Sequence, residues 1–277
     1  MAYTLSPKPE VGATIDWVLA PASLVGCMPL IDGEVAFAGT PPVATTLEYV
    51  TMQAGDEFTF QANTFGITTR QSWGVNMNGG GVAGARAVYM SSAAMATMDQ
   101  HRRTIAWAQR FFGPVGNDQT SIFYNGTPGP NQVYIAAPRW GNEDPTIWVD
   151  IGSDPTEFKA DAPETLVSEW HSIMISWSDG LGVDPAVGMA MWFDGVLLAS
   201  RSTFSGNGPG VSDNIFMGGF PNALEADLEY FYEFNEYIPS GNDLAHKLWV
   251  NPYFFFGRRG GSRAWAYCDE SMLMGAA

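Results

Sequence analysis

The stretch WHSIMISWSDGLGVDPAVGMAMWFDGVLLASR (170–201) decides the fold. In its first segment Ile173 and Ile175 share one face of an extended chain with His171 and Trp177. Ser172, Met174 and Ser176 share the other, because successive side chains of a strand alternate. The polar run SDGLGVDPAVG then interrupts the pattern with turn-forming residues. GMAMWFDGVLLASR crosses back. Within it Phe193-Asp194-Gly195-Val196 carries the Asp-Gly pair of a two-residue hairpin, whose turn requires positive φ at both central positions. The stretch therefore reads as three consecutive antiparallel strands.

The same rhythm extends along the chain. EFTFQANTFGITT, RAVYM, RTIAWAQRFF, TSIFYN, QVYIAA, TIWVDIG, NIFMGGF and ADLEYFYEFN are short and rich in β-branched or aromatic residues. Clusters such as NMNGGG, NGTPGPN, GNEDP and SGNGPG separate them. This pattern predicts an antiparallel sandwich or barrel and not βαβ units. Helical turns are expected only around Ser91–Met98 and Asn242–Trp249. No internal repeat is apparent.

Residues 1–20 read as an N-terminal arm: Pro7 and Pro9 discourage regular structure, Trp17-Val18-Leu19 is its single apolar patch, and Pro21 marks its end. Residues 21–240 read as the sandwich. Residues 241–277 read as a C-terminal extension that carries Tyr253, Phe254, Phe255, Phe256, Trp265 and Tyr267. So aromatic a segment is expected to pack back on its own domain or to dock on another subunit.

Lys and Arg total 13 against 29 Asp and Glu, a formal net charge of −16. Phosphate backbones repel such a chain, which argues against nucleic acid as a partner. Lys247, Arg258, Arg259 and Arg263 form a local basic stretch that either faces an acidic neighbour or is a solvated tail. Cys27 and Cys268 are too few and too far apart for a disulfide framework or a metal site. They are two free thiols or one long-range bridge. The N-terminal stretch lacks the basic-then-apolar pattern of an export signal, and no apolar run is long enough to span a bilayer. The expectation is a protein made without a classical export signal.

WHSIMISW (170–177), MWFDGVLLAS (191–200), IFMGG (215–219) and LEYFYEFNEYIPS (228–240) occur in an order and spacing that resembles the laminin-G-like domains of the concanavalin A-like superfamily. RTIAW (103–107) and LVGCMPL (24–30) resemble earlier strands of the same domains. The resemblance implies an all-β, two-sheet antiparallel jelly-roll sandwich flanked by the two arms. HKLWVNPYFFF (246–256) resembles a tail that follows such domains in bacteriophage and prophage proteins, commonly "NPWQLF"; Tyr253 replaces its Trp, and Phe256 keeps its last position. This match implies a virion setting.

Glu225-Ala-Asp227-Leu-Glu229 is the sharpest catalytic candidate. Alternation would put its three carboxylates on one face, opposite a stripe of Ala226, Leu228, Tyr230, Tyr232 and Phe234. Glycosidases of the same superfamily carry such a strand, with one Glu as nucleophile and the other as acid/base about 5 Å away. The bland alternative is the exposed side of a core strand. Gly79-Gly80-Gly81-Val82-Ala83-Gly84 spells a dinucleotide fingerprint, but ARAVYM after it reads as a strand, which leaves a glycine-rich loop. Calcium is the one cofactor the loops have oxygens for, around Asp144/Asp150/Asp154, Asp179/Asp184 and Asp213/Asn214, without EF-hand spacing. Otherwise no metal site is expected. His101, His171 and His246 are dispersed, and structural roles are expected for them. Trp73, Trp140, Trp148 and Trp192 lie near loop-rich ends and are candidates to stack on sugar, whereas Trp107, Trp170 and Trp177 read as core.

The sequence thus points to a non-enzymatic phage virion protein: a capsid decoration, head-fibre or tail subunit. Its expected partners are other virion subunits, with homo-oligomerisation and binding to host-surface glycans. Trp17, Lys247, Tyr253, Phe254, Phe255, Phe256, Arg258, Arg259 and Trp265 are the candidate interface residues. The alternatives are a carbohydrate-binding adhesin and a retaining glycoside hydrolase using Glu225, Asp227 and Glu229.

Overall fold

The computed structural model describes residues 20–28, 35–38, 43–48, 50–51, 57–59, 67–69, 75–78, 88–90, 101–111, 120–124, 133–136, 146–151, 157–163, 169–181, 186–204, 215–217 and 225–255. Their strands, in chain order, are β1 (Leu24–Met28), β2 (Val35–Ala38), β3 (Val43–Glu48), β4 (Val50–Thr51), β5 (Glu57–Thr59), β6 (Ile67–Thr69), β7 (Val75–Asn78), β8 (Val88–Met90) and β9 (Arg102–Phe111). Then follow β10 (Thr120–Tyr124), β11 (Val133–Ala136), β12 (Thr146–Ile151), β13 (Phe158–Asp161), β14 (Trp170–Asp179), β15 (Val187–Phe193), β16 (Val196–Arg201), β17 (Ile215–Met217), β18 (Glu225–Phe234) and one helix, α1 (Leu244–Val250).

The strands form two nine-stranded sheets. The first runs β16-β15-β14-β9-β18-β1-β4, with β7 also on β18 and β6 on β7; the second runs β13-β12-β11-β10-β17-β8-β5-β3-β2. Ladders of both sheets are antiparallel, including the long ones of β9 with β14 and with β18. The chain is thus all-β, as expected. The sheets approach each other at β13 and β16, where the Arg201 guanidinium lies 5.4 Å over the Phe158 ring. Each sequence segment named above contains a strand; EFTFQANTFGITT contains two, β5 and β6, which lie in different sheets. β2, β3, β4, β7 and β13 were not foreseen, while residues 91–98 lie outside the described residues.

The hairpin unit forms as its sequence dictates. β14, β15 and β16 are consecutive neighbours, and the turn carries φ 49° at Asp194 and 76° at Gly195. Asp tolerates the left-handed region, and Gly enters it without steric cost. Gly195 is required for a second reason: a Cβ there would stand 2.9 Å from Cα of His246 and 3.1 Å from Cβ of Trp249. The turn is thus seated against α1, and only glycine lets the two backbones approach so closely.

Both faces of the first sheet are buried at its centre. Ile105, Trp107, Ile173, Ile175, Trp177, Met191, Phe193 and Phe231 bury one face. Ala106, Ala108, Met174, Trp192, Tyr230, Tyr232 and Phe234 bury the other, together with Leu24, Ile238, Ala245, Leu248 and Phe255. The small residues of β9 leave room for the rings of β18. α1 and the residues after it therefore belong to the same core as the strands. Tyr232 Oη donates to the Pro252 carbonyl and ties that segment down.

A polar chain threads this second face. Ile238 N–H donates to Ser176 Oγ at 2.7 Å, and Thr104 Oγ1 donates to the Glu236 carbonyl at 2.7 Å. The Ser176–Thr104 contact of 2.7 Å then has one polarity, Ser176 donating. Each hydroxyl is buried and used, which satisfies groups that would be costly to leave unmade.

Candidate functional site

Several titratable side chains of the first sheet are drawn into pairs. His171 Nδ1 donates to Asp194 Oδ2 at 2.9 Å and stacks on Phe193 with ring centroids 4.6 Å apart. His101 Nδ1 donates to Asp179 Oδ2 at 2.8 Å. Arg103 Nη1 meets Glu233 Oε1 at 3.4 Å, with both side chains buried. His171 and His101 thus have the structural roles expected of them. Asp179, a calcium candidate, is engaged by His101 and by Leu181 N–H at 2.8 Å. No group of three or more His, Cys, Asp or Glu fit to hold a metal occurs among the described residues. Asp144, Asp154, Asp184, Asp213 and Asn214 lie outside them.

Of the aromatic candidates for sugar stacking, Trp192 is corrected. It is buried at 2% exposure in the core under α1, so its ring has no face to offer a sugar. Trp148 is half-buried, on the face of β12 opposite Ile147, Val149 and Ile151. Trp73 and Trp140 lie outside the described residues, as do Gly79–Gly84. Trp107, Trp170 and Trp177 are core, as expected.

Two of the interface candidates are corrected too. Tyr253 and Phe255 are buried in their own chain, with Phe255 packed edge-on against Tyr232 and Phe234. The aromatic tail folds back through residue 255 because its rings complete the core cluster of β18. Phe254 remains exposed, and Lys247 is exposed and pairs with Asp243 at 3.0 Å. Trp17, Phe256, Arg258, Arg259, Trp265 and Cys268 lie outside the described residues. Cys27 is on β1.

Register changes the reading of the carboxylate strand. The β18–β9 ladder sets Asp227 opposite Arg110 and Leu228 opposite Gln109, then shifts, so that Tyr230 stands opposite Ala108. Glu229 is the extra residue of a β-bulge. One inserted residue exchanges the faces of everything before it relative to everything after. The positions of Glu225 and Asp227 therefore share the face of Tyr230, Tyr232 and Phe234, not the opposite one. Strict alternation over Glu225, Asp227 and Glu229 ends at Glu229.

The ladders also align these positions with residues distant in sequence. Trp170 stands opposite Arg110, Arg110 opposite Asp227, Asp227 opposite Asn76, and Asn76 opposite Thr68. One row thus crosses β14, β9, β18, β7 and β6, and Glu225 opposite Asn78 lies beside it. The interleaved positions Ala226, Met77, Ile67, Leu228 and Val75 are apolar and fall on the other face. At the inner end of the row the half-buried Arg110 places its guanidinium 5.3 Å over the Trp170 ring, a cation–π contact. Sequence reading singled out Glu225 and Asp227 but missed Arg110, Asn76 and Thr68, because pairing between distant strands leaves no local signal.

No model of a known protein family matches the sequence, and no curated protein matches it. Solved structures do match. A Trypanosoma rangeli sialidase in complex with 2,3-difluorosialic acid superposes at TM-score 0.56 and 14% identity, over 91% of this chain and 37% of that chain. The same organism's sialidase in complex with sialic acid gives 0.53 and 13%, over 87% and 35%. The binding domain of botulinum neurotoxin serotype D/C gives 0.54 and 12%, over 82% and 51%. The chain spans about a third of the sialidases and about half of the toxin domain. At these identities the likeness shows a shared all-β fold.

Proposed function

We propose that this chain is a non-catalytic, lectin-type module that binds glycan and is carried as a structural subunit of a phage virion. In this reading its two sheets pack face to face as a jelly-roll sandwich of the concanavalin A-like, laminin-G-like kind. The observation that carries the glycan part is the likeness along most of the chain to sialidases, one of them holding sialic acid, and to a toxin's binding domain. The non-catalytic part is supported by the internal pairing of His101, His171, Arg103 and Glu233, which commits them to holding strands together. The virion part rests on the resemblance of residues 246–256 to a tail that follows such domains in bacteriophage and prophage proteins; other virion subunits and further copies of the chain are its partners.

Two measurements test the reading. A glycan array probed with the purified chain should retain it on a defined set of sugars, and failure to bind any sugar would remove the lectin part. Mass spectrometry of purified particles from the source should find the chain in abundance, and its absence would remove the virion part. Because Tyr253 and Phe255 are core, removal of residues 257–277 is the truncation that tests docking by the tail without emptying the core. Incorporation into particles should fall.

A further inference from the structure

We infer that the exposed edge of β16 at Val196 and Leu197, together with Val250 on α1, is the surface on which a second copy of this chain docks. The inference rests on the reading above that further copies of the chain are its partners, and it names the face they use. Large apolar residues exposed singly are ordinary, whereas a group of them marks an interaction surface. Val196 is 67% exposed, Val250 42% and Leu197 40%. The fold brings these three together. A Cβ on Gly195 would stand 3.1 Å from Cβ of Trp249; Val196 and Leu197 follow Gly195 directly, and Val250 follows Trp249. On α1, Trp249 and Val250 come three and four residues after His246, so all three share the side of the helix that meets the turn.

The strand edge beside this patch is open. β16 ends the first sheet, and among the described residues its one ladder is with β15. β13 of the second sheet comes near its far end, where Arg201 lies over Phe158. Edge strands are commonly blunted with lysine or proline; Val196–Ser200 carries neither, and its one irregularity is the bulge at Leu198. Charge selects the occupant. The chain has a net charge of −16, so two copies repel each other over most approaches. β16 and α1 carry the basic Arg201 and Lys247 and no acidic residue. The acidic residues that flank them, Asp194 and Asp243, are already paired with His171 and Lys247. Here a second copy is repelled least. Two copies of one edge meet antiparallel about a two-fold axis, so the same short surface serves both partners. That order directs Arg201 of each copy toward the Val196 end of the other and away from its own counterpart. The patch is smaller than the roughly 20–30 residues a side of a stable interface. The dimer is therefore concentration-dependent, and it gains where an assembly holds copies side by side.

The test is sedimentation equilibrium of the full chain over a wide range of concentration. The native chain is expected to dimerise as concentration rises. Leu197→Lys and Val250→Lys each bury a charge at the contact and are expected to weaken the dimer at least about ten-fold. Their thermal unfolding midpoints should stay close to that of the native chain, because both positions face water in the single copy. Leu181→Lys, at an exposed leucine beyond the opposite end of β14, is expected to dimerise as the native chain does. If Leu197→Lys does not fold, Val196→Lys, at the most exposed of the three positions, is measured in its place and is expected to show the same loss. Undiminished dimerisation of the patch variants would overturn the face and leave the reading of copies as partners standing. A native chain that stays monomeric throughout would overturn that reading, and this inference with it. Dimerisation that begins only after removal of residues 257–277 would make the chain's own tail the occupant and overturn the second copy. Patch variants that dimerise normally but are lost from particles would give the face to a different virion subunit.

Discussion

The two ends of β14 are held by the same device. At its start, Asp194 N–H donates to the Ser172 carbonyl at 2.8 Å, Asp194 Oδ1 accepts from Ser172 N–H at 2.8 Å, and Oδ2 accepts from His171 at 2.9 Å. At its end, Asp179 N–H donates to the His101 carbonyl at 3.0 Å, Oδ1 accepts from Leu181 N–H at 2.8 Å, and Oδ2 accepts from His101 at 2.8 Å. The difference lies in which partner reaches water. At the start the histidine is 3% exposed and the aspartate 15%; at the end the histidine is 23% exposed and the aspartate 4%. Equal hydrogen bonds thus have unequal value, because the cost of deleting one partner is set by the solvation of the group left behind.

The largest effect is expected where neither partner reaches water. Arg103 and Glu233 are both buried, so Glu233→Ala takes a carboxylate partner from a guanidinium held in the core. The expected loss is about 3–5 kcal/mol in denaturant unfolding. The double variant Arg103→Met/Glu233→Leu is expected within about 1 kcal/mol of the native chain or above it, because it removes both charges. A Glu233→Ala chain of native stability would break the solvation argument at its root. Next comes Asp194→Ala, which takes the carboxylate from the buried His171 and from Ser172 N–H, at a cost of about 2–3 kcal/mol. Gly195→Ala follows at about 2 kcal/mol, since a Cβ with positive φ must also displace the α1 backbone at His246.

How much of this was legible follows the range of the interactions. Alternation in WHSIMISW and the Asp-Gly pair are local, so β14, β15, β16 and their turn could be read directly from residues 170–201. The helical turn at Asn242–Trp249 was equally local. VNMN at β7 has Asn at alternate positions, a poor strand signal on its own, and becomes a strand by pairing with β18, some 150 residues on. The bulge at Glu229 has no glycine to announce it, so counting by twos put Glu225 and Asp227 on the wrong face relative to Tyr230. Trp192 was placed at a loop-rich end because nothing in its own hairpin reveals that α1 covers that face. The carboxylates of the candidate site were therefore legible as residues, whereas their cross-strand neighbours Arg110, Asn76 and Thr68 were not.

At the exposed-histidine end, Asp179→Ala is expected to cost only about 1 kcal/mol, because His101 reaches water when its carboxylate is removed. Measuring Asp194→Ala and Asp179→Ala side by side in thermal unfolding checks the comparison directly. Equal losses would mean that the shared bond pattern, and not solvation, sets the value. The histidines should invert the order if the argument holds: His101→Ala leaves Asp179 buried, whereas His171→Ala leaves an aspartate that is already wetter.

The floor of the scale is the pair in which both partners reach water. Lys247 on α1 and Asp243 at its N-cap are 43% and 68% exposed and sit four residues apart, 3.0 Å between charges. Such pairs contribute a few tenths of a kcal/mol at most, so Lys247→Ala is expected to leave unfolding within about 0.5 kcal/mol of native. This smallest effect separates two roles of the residue. If Lys247 meets an acidic neighbour in an assembly, the same substitution should weaken association or incorporation into particles, and added salt should mimic it. A variant unchanged in both stability and assembly leaves the lysine as a solvated charge on α1. Loss of assembly without loss of stability would place the interface on the exposed side of α1 that carries Lys247.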